Sequence, residues 1–503
     1  MGVHSTRIVS LVLLLSSAYC KDVSRSVLNV RDVDGLKVPH VKPQVLETNT
    51  SDGFNVLEHL AGISPYFDSP GVSLPKDPPP SCHVERAAYI IRHSNIYAND
   101  FDYEQYIQPF TQKVFNFGSQ RSNFTSIPQL AFLANWSTPI TNASEQVEKL
   151  TPSGATSART LGKVIAGQYS DLLQTVSNLT AFNVWTASAE RDVDSAGPFV
   201  EGFLGKTPTF NASGANLVRV SENETLSANT LVPHETCDDF DAAAGSNQSM
   251  AWIDTYTAPI LQRFNAALST FNFTALDIYA MQQLCGYETV IKNSSDFCGA
   301  FESNDWLGFE YANDLMYWYS LGFGQPLAPT LGMPWLNATT GLLAASNSSQ
   351  PLWFSFTHRE EPPFVLAALN LFNNSAYTPS SNANDTMPTS EINFSRAWKT
   401  SDILPFLGHI ALERLECEPP IPSFTTNSYI RVLVNSAPIP IPGCQNGPGA
   451  SCSLGDFVNY VQERNAVYGD FVGKCGIDNT NGNATNTLQI YEGNVPQVPD
   501  ENS

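Results

Sequence analysis

Apolar residues run unbroken from Ala87 to Ile91 inside the stretch 84–91, which reads as a buried strand, and the polar pair Arg92-His93 closes it. Residues 182–187, 352–357 and 429–435 read as further strands, with His358 directly after the third stretch in chain order. Helical spacing appears over 151–174, where Ala155, Leu161, Val164, Ile165 and Leu172 take the core positions, and again over 190–203. Between about 201 and 339, helical stretches such as 250–268 and 306–321 alternate with polar loops. Pro362 and Pro363 then open a helix through 365–372, because proline is tolerated in a first helical turn. Residues 21–81 read as an irregular extension, since Pro78, Pro79 and Pro80 deny both helix and central strand. The compact domain is expected to begin at Cys82, and no internal repeat is visible.

Strands that feed helices, with a helical excursion between them, argue an α/β domain carrying a smaller, mainly α-helical domain. The expected division is 82–200 for the first α/β part, 201–339 for the helical domain, 340–490 for the second α/β part and 491–503 for a C-terminal tail. In open α/β sheets the site lies beyond the carboxyl ends of the strands. Arg92-His93 and His358 occupy two such ends.

Composition adds compartment and charge. The 503 residues are 42% hydrophobic and only 15% charged, with Ser, Thr and Asn runs in place of charge. The formal net charge is −22, from 26 Lys+Arg against 48 Asp+Glu. Such a surface repels nucleic acid and anionic membranes, and an anionic substrate would need its own local patch of positive charge. Residues 1–20 read as a signal peptide, with Arg7, an apolar run from Ile8 to Leu15 and the small residues Ser16, Ser17 and Ala18. That run is too short to span a bilayer, so no membrane partner is expected. Eight of the nine cysteines remain once Cys20 is set aside with the signal: Cys82, Cys237, Cys285, Cys298, Cys417, Cys444, Cys452 and Cys475. An even set behind a signal reads as disulfides, whose pairing the spacing leaves open, and the absence of CxxC argues against zinc. About sixteen N-x-[ST] sequons are spread along the chain, Asn49, Asn123, Asn135, Asn178, Asn211, Asn272, Asn337, Asn393 and Asn483 among them. Together these signals imply an extracellular glycoprotein, free or held in a cell wall.

Four segments carry a family resemblance. Ile90 to Tyr97 reads IIRHSNIY, similar to a strand ending in RHGxRxP, with Ser94, Ile96 and Ala98 in place of Gly, the second Arg and Pro. Phe354 to Phe372 reads FSFTHREEPPFVLAALNLF, similar to a strand ending in His-Asp or His-Ala-Glu; His358 matches the His, Arg359 replaces Asp and Glu360 stands where the second form places its acid. Trp185 to Phe203 reads WTASAERDVDSAGPFVEGF, similar to RASGSDR…FIEGF, with Arg191 and the tail matched and Trp185 in place of the leading Arg. The cysteine framework, with CSLGDFVNYVQERN from Cys452, is the fourth. On these segments the chain resembles the fungal histidine acid phosphatases, the family that includes the phytases, over roughly residues 82–476.

The resemblance implies the histidine phosphatase fold, a mixed sheet flanked by helices. It implies the pairs Cys82–Cys417, Cys237–Cys475, Cys285–Cys298 and Cys444–Cys452. It also implies hydrolysis of small phosphate monoesters without a cofactor or metal. A neutral imidazole, His93, attacks phosphorus and forms a phosphohistidine that water then hydrolyses. Guanidinium groups bind the phosphoryl oxygens. Arg92 takes that role, and Arg191 and Arg359 restore charge lost at Trp185 and Ile96. His358 donates to a phosphoryl oxygen, and Glu360, with Glu361 second, protonates the leaving alcohol.

Simpler readings exist for each residue. Glu360 and Glu361 are favourable at a helix start by about 0.3–1 kcal/mol with no further role. Arg191 can be a solvated helix residue, and Ile96 and Trp185 have the character of core residues. No GxxxxGK[ST], GxSxG or HExxH occurs; Asp192-Val193-Asp194 lies inside the third matched segment, and His234-Glu235 lacks a second His. Two functions stay open: an active secreted acid phosphatase, or a catalytically impaired member acting as a binding or cell-wall protein. The acidic chain and the two missing arginines argue against phytate, and nothing in the sequence fixes an oligomeric state.

Overall fold

The computed structural model describes residues 54–176, 182–205, 217–374, 386–418, 424, 426–496 and 498. The signal segment, Cys20, most of the extension and the sequons at Asn49, Asn178 and Asn211 lie outside the described residues. Among the described residues, eight strands form one mixed sheet: β1 (Cys82–Arg92), β2 (Val184–Ala187), β3 (Leu217–Val220), β4 (Leu352–Thr357), β5 (His409–Cys417), β6 (Ser428–Val434), β7 (Ala437–Pro438) and β8 (Cys452–Ser453). The spatial order is β3-β2-β4-β1-β5-β6-β7, with β8 also paired to β6. β3, β2, β4 and β1 run parallel, and β5 to β8 continue the sheet in antiparallel fashion.

The run 87–91 of β1 is apolar without a break and every residue of β4 is buried, because both faces of these strands are covered. Ala87, Tyr89 and Ile91 point to one core, with Leu161, Ile165, Phe199 and Phe203 from the helices Pro152–Gln168 and Glu190–Leu204. Ala88 and Ile90 point to the other, shared with Leu336, Phe364 and Val365 of the helices Ala328–Ala344 and Glu361–Ala368. Gly162 and Gly202 let the first two helices touch along their backbones; a Cβ on either would overlap the carbonyl of Phe199 or of Arg159.

The architecture expected from sequence is present, a mixed sheet with flanking helices and a helical part. Its boundaries move in three places. The segment from Val56 to Ile63 is not a loose extension: Val56, Leu57, Leu60, Ala61 and Ile63 are buried in the main core. Two short 3-10 turns make this segment, so it has no helical period to detect. It is tied in by Ala61 N–H donating to Ser401 Oγ (3.0 Å) and Phe406 N–H to Ser64 O (3.0 Å). The compact domain therefore starts upstream of Cys82. β3 lies in the stretch read as helical but pairs with β2 in the sheet. Residues 99–136, read as α/β, pack on the helical part instead: Tyr287 donates to Asp102 (2.6 Å) and Trp136 Nε1–H to Glu288 (2.8 Å). The helices Ser246–Ala267, Ala275–Lys292 and Ser303–Ser320 form that part.

The eight cysteines form four disulfides, Cys82–Cys417, Cys237–Cys475, Cys285–Cys298 and Cys444–Cys452. Cys82–Cys417 links residues 335 apart in sequence and sits on the terminal pair of the β1–β5 ladder. A loop this long restricts the unfolded chain strongly, so replacing both cysteines by alanine is expected to cost about 3–5 kcal/mol, read from guanidinium unfolding under non-reducing conditions.

Candidate active site

Parallel pairing of β1 with β4 sets Arg92 opposite Thr357, so His93 and His358 leave the sheet side by side at one edge. His93 N–H donates to Thr357 O (2.9 Å), and Leu407 N–H to His93 O (3.1 Å). Ser94 N–H donates to Ser195 Oγ (2.8 Å), which ties the loop after β1 to the Glu190–Leu204 helix. That helix starts just past β2 and brings Arg191 and Asp192 to the same edge. The Glu361–Ala368 helix, with prolines in its first turn, does the same for Arg359, Glu360 and Glu361.

His93 is 3% exposed. Its Nδ1 lies 2.9 Å from Ser94 O. A carbonyl oxygen only accepts, so Nδ1 carries the hydrogen and Nε2 the lone pair. Burial, then the charges of Arg92 and Arg191, hold the imidazole well below its ordinary pKa, so it stays neutral in acid. His358 is the opposite case. Its Nε2 stands 3.1 Å from Asp192 Oδ2 and 3.4 Å from Glu222 Oε2, ion-pair distances without hydrogen-bond alignment at Nε2. Burial works against the charged ring, but the two carboxylates outweigh it and hold the imidazolium well above the ordinary range. One histidine is thus a lone-pair donor and its neighbour a cation. Environments that push two like groups apart are how acid and base roles are divided.

Three guanidinium groups converge here. Arg92 Nη1 donates to Leu404 O (2.8 Å) and to Gly62 O, and its guanidinium lies 4.6 Å from the Phe406 ring centre. Burial, then the charge of Arg359, lowers its pKa to about 10, which still leaves it charged. Arg191 pairs with Glu148, and its Nε is buried without a partner among the described residues. Arg359 pairs with Glu360 (2.9 Å) and lies 5.6 Å from the Tyr317 ring centre. Arg359 is close enough to act on Arg191, whose pKa is nonetheless raised against burial by Asp192 and Glu148, and both act on Glu360.

Glu360 sits among Arg359, His234, His358 and Arg191, which overcome burial and keep its carboxyl well below the usual range. Glu361 is buried and accepts from His234 Nδ1; burial pushes its carboxyl up, while that pairing opposes the rise. His234 is pushed up to about 10 against burial, chiefly by Glu361 and then by Glu235. Ile96 is 2% exposed and bridges Leu150, and Trp185 is 5% exposed with its ring edge-on to Tyr491 at 4.9 Å. Both are core residues.

Sequence reading passed over Asp192, Glu222, His234 and Glu148. Asp192 and His234 belonged to short acidic and His-Glu motifs that looked incomplete in one dimension. Glu222, just past β3, gave no signal. Asp192, Glu222 and His358 offer ligand atoms within 4.8 Å of one another, as do His234, Glu235 and His358. These are donor types for a divalent cation, and in the present arrangement the protonated His358 is the counter-cation.

A family model described as the histidine phosphatase superfamily, branch 2, matches residues 83–435. The chain is 30% identical over 438 residues to an acid phosphatase of Schizosaccharomyces pombe, covering 84% of this chain and 91% of that protein. It is 28% identical over 440 residues to the phytase PHO112 of Candida albicans, covering 85% and 88%. The crystal structure of the phytase from D. castellii superposes with a TM-score of 0.76 at 24% identity, over 88% of this chain and 91% of that one, and so shares its fold.

Proposed function

Since the chain belongs to the histidine phosphatase superfamily, branch 2, and is a phosphatase acting on small phosphate esters, we propose that it is a secreted acid phosphatase working through a phosphohistidine at His93. The observation that carries this reading is the neutral His93 ring beside the cationic His358 at one sheet edge. Nε2 of His93 attacks phosphorus while Arg92, Arg191 and Arg359 hold the three equatorial oxygens. Nε2 of His358 is turned to Asp192 and Glu222, which leaves Nδ1–H to donate to a phosphoryl oxygen. Water then attacks the phosphohistidine and releases phosphate.

Glu360 is the proposed acid, and its low pKa in the free site is consistent with that role. Below a second phosphate pKa of about 6, a monoester arrives with one proton. The arriving anion cancels the field of Arg359, His358 and Arg191, so the carboxylate becomes the better base, accepts the ester's proton and passes it to the leaving alcohol. Two family arginines are lost at Trp185 and Ile96, but Arg191 and Arg359 stand at the same edge. The surrounding Glu148, Glu222, Glu235 and Asp192 suit an ester with one phosphate better than a polyanion.

Rapid acid-free quenching during turnover of p-nitrophenyl phosphate at pH 3–6 tests the reading. A phosphoryl group on the peptide containing His93, stable in base and lost in acid, is the expected result. Turnover with no such adduct, under conditions where phosphate release is slow, would sink the mechanism. Arg359→Ala is expected to raise KM for the same ester about tenfold. It should also move the acid limb of the kcat/KM profile upward, because Glu360 loses its nearest cation.

A further inference from the structure

A cluster of titratable side chains that the proposed reaction does not use joins the Val56–Ile63 segment, the Ser303–Ser320 helix and the short helix Thr400–Ile403. Glu310 and Asp314 stand one turn apart on the Ser303–Ser320 helix, and both are buried, as is Arg396. Arg396 Nε donates to Asp314 Oδ2 (2.5 Å) and its Nη2 to Glu310 Oε2 (3.2 Å). His59 Nδ1 lies 3.1 Å from Glu310 Oε1; a carboxylate only accepts, so the ring donates. Against burial, His59, Arg396 and Ser401 lower the Glu310 carboxyl to about 2. Two bonds carry this cluster towards the phosphate site. Asp314 Oδ1 accepts from Thr400 N–H (2.6 Å), at the start of the turn that leads to Leu404 O. Ser401 Oγ, in the same turn, accepts from Ala61 N–H (3.0 Å), beside Gly62 O. Gly62 O and Leu404 O are the two carbonyls to which Arg92 Nη1 donates, and the Phe406 ring lies against the same guanidinium. The aim of Arg92 is therefore set by where these carbonyls stand.

A buried ion cluster adds little net stability over apolar packing, but its directional bonds fix geometry. We propose that His59, Glu310, Arg396 and Asp314 are positioning residues for Arg92, holding Gly62 O and Leu404 O at the spacing that aims its guanidinium at the phosphoryl group. The proposal rests on the reading of Arg92 as a phosphate ligand. Asn435 Nδ2–H also supports the turn before Leu404, donating to Asp402 O (2.8 Å) and Ile403 O (3.1 Å). Loss of the cluster is therefore felt first on the Gly62 side, in the segment upstream of β1, where His59 and the Ala61–Ser401 bond are the links.

Calorimetric titration with inorganic phosphate at pH 5 tests this, because Kd is a property of the folded molecules and does not fall with the folded fraction. His59→Leu keeps bulk but removes the donor, and should weaken phosphate about fivefold or more, as a small misplacement of a binding group does. His59→Asn returns an N–H near the place of Nδ1, and should bind within about twofold of wild type. Arg92→Ala should itself bind phosphate weakly, and adding His59→Leu to it should change nothing further, since the two act through one contact. If His59→Leu does not fold, Ser401→Ala, which removes the acceptor of Ala61 N–H, takes its place and should weaken phosphate about threefold. An unchanged Kd in the variant that is read, no recovery in His59→Asn, or the same loss with and without Arg92 overturns the positioning role and leaves Arg92 a phosphate ligand. An Arg92→Ala protein that binds phosphate as tightly as wild type overturns both.

Discussion

His93→Ala is expected to lower kcat for p-nitrophenyl phosphate by on the order of 10⁴–10⁶-fold, the scale seen when a covalent nucleophile is removed. The guanidinium groups and His358 remain, so substrate still binds and KM should change little. What is lost is the imidazole lone pair that faces the site, on a ring that burial and then Arg92 and Arg191 hold well below its ordinary pKa. Misfolding is not expected to explain the loss. The His93 ring's own hydrogen bond is to Ser94 O, and the backbone bonds to Thr357 and Leu407 survive in alanine. Far-UV circular dichroism and Tm should be near those of wild type. Added imidazole, small enough to fill the space left, should restore part of the turnover. A variant that folds and retains a tenth of the activity would rule out His93 as nucleophile.

The second large effect is expected at a residue with no proposed contact to substrate. Asp192→Asn keeps the shape of a fully buried side chain but removes the carboxylate 3.1 Å from His358 Nε2. His358 then loses its strongest partner and is held charged, against burial, by Glu222 with weaker help from the neighbouring carboxylates. Its proton should leave at lower pH, and kcat at pH 6 should fall about 10²-fold as the cationic donor is lost. A structural role alone would lower the whole profile. Positioning through His358 instead moves the alkaline limb of kcat/KM to lower pH, and an unmoved limb would refute it. Stability should follow the same group. A raised folded pKa means that the His358 contribution is complete below its unfolded value near 6.5 and fades as pH rises through the folded value. Glu222 has the opposite sign. Its pKa is lowered to about 2, despite burial, by His358 and by Ala189 N–H, so its contribution is present above about 4.5 and lost as pH falls from there towards 2. Both contributions are therefore complete together between roughly pH 4.5 and 6.5, and Asp192→Asn should shrink the His358 contribution, so that it is exhausted at a lower pH than in wild type.

Much of the scaffold was legible because its signals were local. The runs 87–91 and 352–357 gave β1 and β4, and the polar residues at their ends gave His93 and His358. The upstream segment from Val56 was not legible, since two 3-10 turns have no period, and its buried character comes from partners near Ser401 and Phe406. In the site, residues next to a strand end could be found one at a time. Asp192 and Glu222 could not, because their roles exist only through distances to His358 across β2, β3 and β4. Ile96 and Trp185 show the converse. Read against a motif they are missing charges; in the fold they are well-packed core residues.

The position of β1 also bears on biogenesis. It lies between β4 and β5, and Cys82 finds its partner 335 residues later. During synthesis the apolar run 87–91 must wait, unpaired, until most of the chain has been made. High contact order of this kind slows folding and exposes an aggregation-prone strand. The proposed nucleophile and its neighbours thus cannot assemble before β4 and β5 have been made, and phosphatase activity becomes a late event that certifies the near-complete polypeptide.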